Sequence, residues 1–158
     1  MHSFRPVAPT DLTLICQHRE TMFREAGWDE MAIGAMAVPF REWLAPRLAD
    51  DRYFGFIVED QGRAVGGIGL MILTWPPHPS HPHDDRRGYI LNLYIDPAYR
   101  RRGLARDLMQ QAQSELTRRG LAYAVLHATS NGRKLYEKIG WAATSEMALP
   151  LVFDGMPA

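Results

Sequence analysis

The sequence predicts an α/β fold in which a mixed sheet carries helices on its faces. Three observations carry this. Tyr53–Glu59 (YFGFIVE) and Arg63–Leu73 (RAVGGIGLMIL) are β-rich runs joined by Asp60-Gln61-Gly62, the pattern of a hairpin. Gly88–Ile95 (GYILNLYI) is almost continuously apolar, as a strand buried on both faces would be. Beyond a Gly-containing loop, Leu104, Leu108, Met109, Ala112 and Leu116 share one helical face that ends at Gly120. The apolar run Leu121–Ala128 follows, so strand, helix and strand alternate.

The remaining elements follow in chain order. Pro9-Thr10-Asp11 predicts a helix start, with Thr10 as N-cap and Asp11 in the first turn. Leu12, Ile15, Cys16, Arg19, Met22 and Phe23 form its stripe, and Gly27 ends it. Asp29–Ala37 reads as a second helix, interrupted by Pro39, with a short turn or helix over Phe40–Leu48. Gly66, Gly67 and Gly69 in the second hairpin strand predict a bulge or a close approach. Thr74–Arg87 (TWPPHPSHPHDDRR) has four prolines and no apolar period, so it reads as a mobile loop. Ser130–Ile139 predicts a short helix closed by Gly140, and Trp141–Leu151 a last strand. No repeat or low-complexity segment breaks the chain, and residues 1–158 read as one domain.

Composition narrows the function. Lys+Arg and Asp+Glu are both 18, so the formal net charge is zero, whereas a duplex-binding domain carries a basic excess. The single cysteine, Cys16, excludes an intrachain disulfide and, on an apolar stripe, reads as core rather than nucleophile. The N-terminus has no secretory pattern and no apolar run reaches membrane-spanning length. A soluble cytoplasmic protein with no membrane or nucleic-acid partner is expected.

Against that neutral background, Ala98–Leu108 (AYRRRGLARDL) places four arginines within seven residues. The run lies between a buried strand and a helix start. There the first helical N–H groups lack internal partners, and the dipole favours an anion. A pyrophosphate would accept from the amides of Arg102, Gly103, Leu104, Ala105 and Arg106, with arginine side chains at the rim. Gly103 lets the backbone approach closely. Neither GxxxxGK[ST] nor GxGxxG is present, which argues against a P-loop nucleotidase or a dinucleotide-dependent dehydrogenase.

Arg100-Arg101-Arg102-Gly103-Leu104-Ala105 matches R/Q-x-x-G-x-G/A and resembles the coenzyme A pyrophosphate loop of the GNAT superfamily of N-acetyltransferases. Asn92–Pro97 (NLYIDP) resembles that family's fourth strand and the turn after it. Leu135–Trp141 (LYEKIGW) resembles its fourth helix. The resemblance spans roughly residues 4–150 and implies a mostly antiparallel sheet whose fourth and fifth strands splay at a bulge. Pantetheine would lie in the splay against the backbone of Leu93 and Ile95. An N–H near Leu93 or Tyr94 would hold the oxyanion. The resemblance also implies that Arg100, Arg101, Arg102 and Arg106 flank the pyrophosphate, that Asn131 contacts the cofactor, and that Tyr136 protonates the leaving thiolate.

The implied activity is acetyl transfer from acetyl-CoA, as cosubstrate, to a primary amine of a small molecule. With no placed nucleophile, direct attack in a ternary complex is expected. The general base stays open. Tyr89 stands where some members have Glu, and His127, Asp84/Asp85 and bulk water are the alternatives. No metal is expected, because His78, His81 and His83 match no standard zinc spacing. Trp28, Met31, Met36, Trp43 and Trp75 read as core, dimer contact or acceptor-pocket lining. A homodimer is an expectation from the resemblance alone. A protein or peptide amine as acceptor, a non-catalytic acyl-CoA binder and a nucleic-acid module using the arginines remain alternative readings.

Overall fold

The computed structural model describes residues 1–151. A five-stranded sheet runs in chain order: β1 (His2–Pro6), β2 (Phe54–Asp60), β3 (Arg63–Thr74), β4 (Arg86–Ile95) and β5 (Ala124–Leu126). The first four pair antiparallel, and β5 joins β4 in parallel. Four helices cover it: α1 (Leu12–Glu25), α2 (Glu30–Ala49), α3 (Leu104–Arg118) and α4 (Ser130–Lys138). This is the predicted mixed sheet, mostly antiparallel and flanked on both faces.

The hairpin forms as its sequence requires. Gln61 and Gly62 both have positive φ (49° and 79°), as a two-residue turn matching the strand twist demands. The glycines of β3 answer to both predicted causes. A side chain at Gly69 would put its Cβ 2.0 Å from the Tyr53 hydroxyl, and one at Gly66 would lie 2.5 Å from the Tyr94 carbonyl oxygen. The β3–β4 register also shifts there: Gly67 faces Tyr94 while Gly69 faces Leu91. The extra residue lies on β4, where Asn92 has φ of 54°.

Two cores lie on opposite faces. α3 buries Leu104, Leu108, Met109, Ala112 and Leu116 against strand residues that include Val58, Leu70 and Ile90. On the other face Ile15 and Cys16 of α1 meet Phe40, Leu44 and Leu48 of α2 around Tyr53. Cys16 is thus a core residue.

The structure corrects four readings of helix and strand and adds an N-terminal strand. Pro39 does not interrupt α2, which runs unbroken from Glu30 to Ala49. A mid-helix proline costs about 3 kcal/mol, and burying Phe40, Leu44 and Leu48 at about 1.5–3 kcal/mol each outweighs it. At the first helix start, Thr10 is not the cap. A 3₁₀ turn over Pro9–Asp11 precedes α1, and the Asp11 carboxylate accepts from the Ala8 N–H at 2.8 Å. β1 is an edge strand whose five residues are too few to show a pattern. β5 is shorter than Leu121–Ala128, because Leu121 closes the end of α3 by donating to the Leu116 carbonyl (3.1 Å). Residues 142–151 form no strand. Met147, Leu149 and Leu151 have the period, but a strand also needs a paired edge, and all three are exposed.

Thr74–Arg87 is not the unstructured lid expected. Its last two residues begin β4, and the rest is built around His81, which is 2 % exposed. The Arg87 Nε–H donates to His81 Nε2 at 2.8 Å, so His81 Nδ1 carries the proton and donates to the Asp84 carbonyl at 2.9 Å. The Trp75 N–H donates to the Asp85 carbonyl at 2.7 Å and closes the loop.

Candidate active site

The β4–β5 ladder covers only Gly88–Ile90 against Ala124–Leu126, while β4 continues through the bulge to Ile95. Beyond Ile90 the β4 edge has no strand partner on the β5 side among the described residues. Leu93 turns its side chain toward the α3 core, whereas Tyr94 stacks on His18 of α1 with ring centroids 4.5 Å apart. The Ile95 carbonyl already accepts from Arg100 Nε at 2.9 Å. Burial depresses His18 to a pKa of about 4, so it is neutral where it stacks.

At the end of β4 the chain turns into α3 through the arginine loop. Gly103 caps α3 in the left-handed region, φ 85°, and a Cβ there would meet nothing within 4 Å. Leu104 is buried and anchors the loop. The first helical bond runs from the Asp107 N–H to the Gly103 carbonyl, so the amides of Leu104, Ala105 and Arg106 point outward without helical acceptors. The arginines divide. Arg100 is tied to Glu25 of α1 by two bonds of 2.8 Å. Arg102 donates to the Ala98 carbonyl (3.0 Å) and lies over the Tyr99 ring. Arg101 and Arg106 are exposed and make no ion pair among the described residues.

On the α1/α2 side opens a cavity of about 1250 Å³. Its apolar wall includes Met36, Phe40, Trp43, Met71, Leu73 and Trp75. Arg87, Tyr89 and Leu91 alternate along β4, so all three face it. Arg19 enters from α1, its guanidinium over the Phe23 and Phe40 rings at 4.9 and 4.5 Å. Its Nη1 donates to Asn92 Oδ1 (2.8 Å), and Asn92 Nδ2 in turn donates to the Tyr53 hydroxyl (2.9 Å).

His127 lies at one end of this cavity, one residue beyond β5, and also lines a second cavity that holds Tyr136. Its Nε2 lies 2.6 Å from Glu146 Oε1. A carboxylate only accepts, so Nε2 carries the proton and the neutral ring leaves Nδ1 to accept. The Tyr89 hydroxyl donates to Nδ1 at 2.6 Å. Tyr89, His127 and Glu146 therefore form one continuous chain of hydrogen bonds. Burial pushes the Tyr89 and Tyr136 phenols above their ordinary range. Tyr136 packs near Trp141 at the foot of α4, and its hydroxyl has no partner among the described residues. Asn131 is exposed in the first turn of α4, whose N-cap Thr129 accepts from the Gly132 N–H.

A family model described as "Acetyltransferase (GNAT) family" matches residues 16–141. The chain belongs to the GNAT acetyltransferase family. Among solved structures it is similar to a GCN5-related N-acetyltransferase from Ralstonia eutropha JMP134. Identity is 54 %, TM-score 0.94, and the match covers 96 % of this chain and 99 % of that one. A predicted acetyltransferase with acetyl-CoA from Clostridium acetobutylicum shares 22 % identity and a TM-score of 0.85, covering 96 % of each chain. An aminoglycoside acetyltransferase from an uncultured soil metagenomic sample shares the fold at 19 % identity and a TM-score of 0.69, covering 96 % of this chain and 99 % of that one. Among curated proteins no relative matches.

Within the GNAT frame the sequence-predicted residues fall into two groups. Leu93–Ile95 and Arg100–Arg106 form one continuous edge running into the α3 N-terminus. Tyr136 and His127 meet in the second cavity. Asp84 does not face the acceptor cavity as a base: its carboxylate accepts from the Arg86 N–H and Nε. Among the described residues no three His, Cys, Asp or Glu side chains gather where they would hold a metal ion. Among the described residues no helix is long and apolar enough to cross a membrane.

Sequence reasoning missed Glu146, Arg19, Arg87 and the Asn92–Tyr53 pair. Glu146 gave no signal, because its partner is reached only through the folded chain. Arg19 did give one: it is a cation inside the apolar stripe of the first helix.

Proposed function

We propose that this GNAT-family chain transfers the acetyl group of acetyl-CoA to a primary amine of a small molecule by direct attack in a ternary complex. One observation carries the reading. A bulged β4 edge, with no strand partner on the β5 side beyond Ile90 among the described residues, runs directly into a helix N-terminus whose outward amides have no helical acceptor. An extended amide chain ending in a pyrophosphate satisfies both. Gly103, with open space at its Cβ position, lets the pyrophosphate approach the amides. Arg101 and Arg106 supply free positive charge, while Arg100 shapes the loop through Glu25. Leu93 is the better backbone contact for pantetheine, since the Ile95 carbonyl is engaged. Asn131 lies in the first turn of α4, where it would contact the cofactor.

In the reaction the amine nitrogen bonds to the thioester carbonyl carbon. An N–H of Leu93 or Tyr94 holds the oxyanion. The amine proton passes to the Tyr89 oxygen as the Tyr89 proton moves to His127 Nδ1. Glu146 stabilises the imidazolium that forms. The carbon–sulfur bond then breaks, and the thiolate takes its proton from Tyr136, a phenol that burial keeps neutral. A small acceptor is favoured because the cavity is walled by side chains of α1, α2, β4 and the closed 74–87 loop.

The test is a screen of amines with acetyl-CoA, following thiol release and the mass of the product. The expected result is turnover of at least one small primary amine, with acetyl on nitrogen. Acetyl-CoA binding without turnover of any small amine or N-terminal peptide would instead favour a non-catalytic member of the fold.

A further inference from the structure

Arg19 and Arg87 enter the same cavity from different elements, and neither has a carboxylate partner among the described residues. Arg19 is half-buried. Its only polar bond is to the Asn92 amide oxygen, its Nε is buried with no partner, and aromatic rings flank it. These contacts fix the guanidinium in place without neutralising it. Arg87 is held the same way. Its Nε donates to His81, and its guanidinium lies 4.4 Å from the Trp75 centroid and 4.9 Å from that of Tyr123. Both forks are pre-organised for a planar anion.

Among the described residues the remaining carboxylate on the cavity wall is Glu146, which is bonded to His127 at one end. His78 is bonded to Ser80 within the loop. Along β4, Tyr89 sits between Arg87 and the Asn92 that holds Arg19. An acceptor whose amine lies at Tyr89 therefore has a fixed cation to either side and apolar or aromatic walls around its body.

We propose that the acceptor is an amino acid-like amine, bearing a carboxylate that Arg19 or Arg87 binds and an apolar or aromatic body. This rests on the acetyltransferase reading and names its substrate class. A polyamine fits poorly, because it would bring cations toward two unneutralised guanidiniums. A neutral amine leaves the same two cations without an anion.

The experiment uses acid, amide and decarboxylated forms of one body: phenylalanine, phenylalaninamide and phenethylamine, and the same set for methionine, with spermidine alongside. Binding to the protein–CoA complex is measured by calorimetry, and turnover by thiol release. The acids are expected to exceed their amides in kcat/KM by at least about tenfold, since a buried charged site rejects analogues lacking its partner. Arg19→Gln or Arg87→Gln is expected to bring the acid-to-amide ratio of kcat/KM down to about one, and the Lys variant of the same position to restore part of the preference. Thermal melts check that each variant is folded. Where one is not, the wild-type acid-to-amide ratio decides alone.

Amides equal to or better than acids, a preference for spermidine, or acids that neither bind nor react while acetyl-CoA binds would each overturn the proposal and leave the acetyltransferase reading standing. Failure of folded protein to bind acetyl-CoA would remove both, and is read separately before any amine is added.

Discussion

Arg100 and Arg102 lie at the surface beside α3 and already have partners: Glu25, the Ile95 and Ala98 carbonyls, and the Tyr99 ring. Arg19 and Arg87, across the sheet, are drawn into a cavity and have no carboxylate partner among the described residues. The cofactor side is a backbone device, built from outward amides, a left-handed glycine and a strand edge. The proposed acceptor side is a side-chain device, assembled from α1, α2, β3, β4, the 74–87 loop and the residues after α4. Backbone groups read a ligand whatever the neighbouring side chains are, whereas a site of side chains changes with each substitution.

The sharpest way to break the comparison is at Gly103. Gly103→Glu places a side chain at φ 85° and a carboxylate over the amides. Acetyl-CoA affinity is expected to fall at least about 100-fold, and the rise in melting temperature that acetyl-CoA induces to vanish. The same change should leave kinetic discrimination between acceptors untouched at saturating cofactor, because it acts only on the backbone side.

Next are the proton-handling residues. Tyr136→Phe and His127→Gln are each expected to lower kcat about 10–100-fold with the acetyl-CoA Kd unchanged. Glu146→Gln should act in the same direction as His127→Gln, and the double variant should cost little more than the worse single one, because the two belong to one chain of hydrogen bonds. Rapid-mix thiol release at several pH values reads both.

His18 sharpens the comparison from α1. Its folded pKa of about 4 lies under the ordinary 6.5 because burial disfavours the charged ring. The unfolded chain therefore binds the extra proton between those values. The stability from the neutral ring is full above about pH 6.5 and is lost as pH falls toward 4, amounting to on the order of 2–3 kcal/mol. Urea midpoints at pH 7 and pH 4.5 should differ in the wild type and differ less in His18→Gln.

The smallest effects separate the arginines of the run. Arg106→Gln is expected to weaken acetyl-CoA binding by roughly fivefold at low salt and less at high salt. Arg100→Gln should instead reduce stability, by no more than about 1 kcal/mol, because its pair with Glu25 is largely exposed. Calorimetry and thermal melts on both variants distinguish the two roles.

How much of this was legible in the sequence depended on whether the information was local. The hairpin, the β4 run, the α3 stripe and the Gly103 loop are encoded by neighbouring residues, and the structure contains them. The β3 glycines announced both a bulge and a close approach, though only the fold shows that the bulge lies on β4 and that the Tyr53 hydroxyl occupies the space beside Gly69. Pro39 was misread because local propensity gives way to the burial of Phe40, Leu44 and Leu48. The Trp141–Leu151 strand was misread because period two guarantees no partner. Within the site, Tyr136 was named from the resemblance of Leu135–Trp141 and His127 from its place on the predicted strand, but Glu146 lies nineteen residues from His127 and is joined to it only by the fold.

Everything proposed for the site requires that the bulged strand and the α3 N-terminus bind acetyl-CoA. The most direct measurement is calorimetric titration of the folded wild-type chain with acetyl-CoA, with CoA and 3′-dephospho-CoA alongside. The expected result is one site per chain at micromolar affinity, about −8 kcal/mol, shared by all three ligands because the pyrophosphate is common to them. No binding heat from a protein that still melts cooperatively would contradict it.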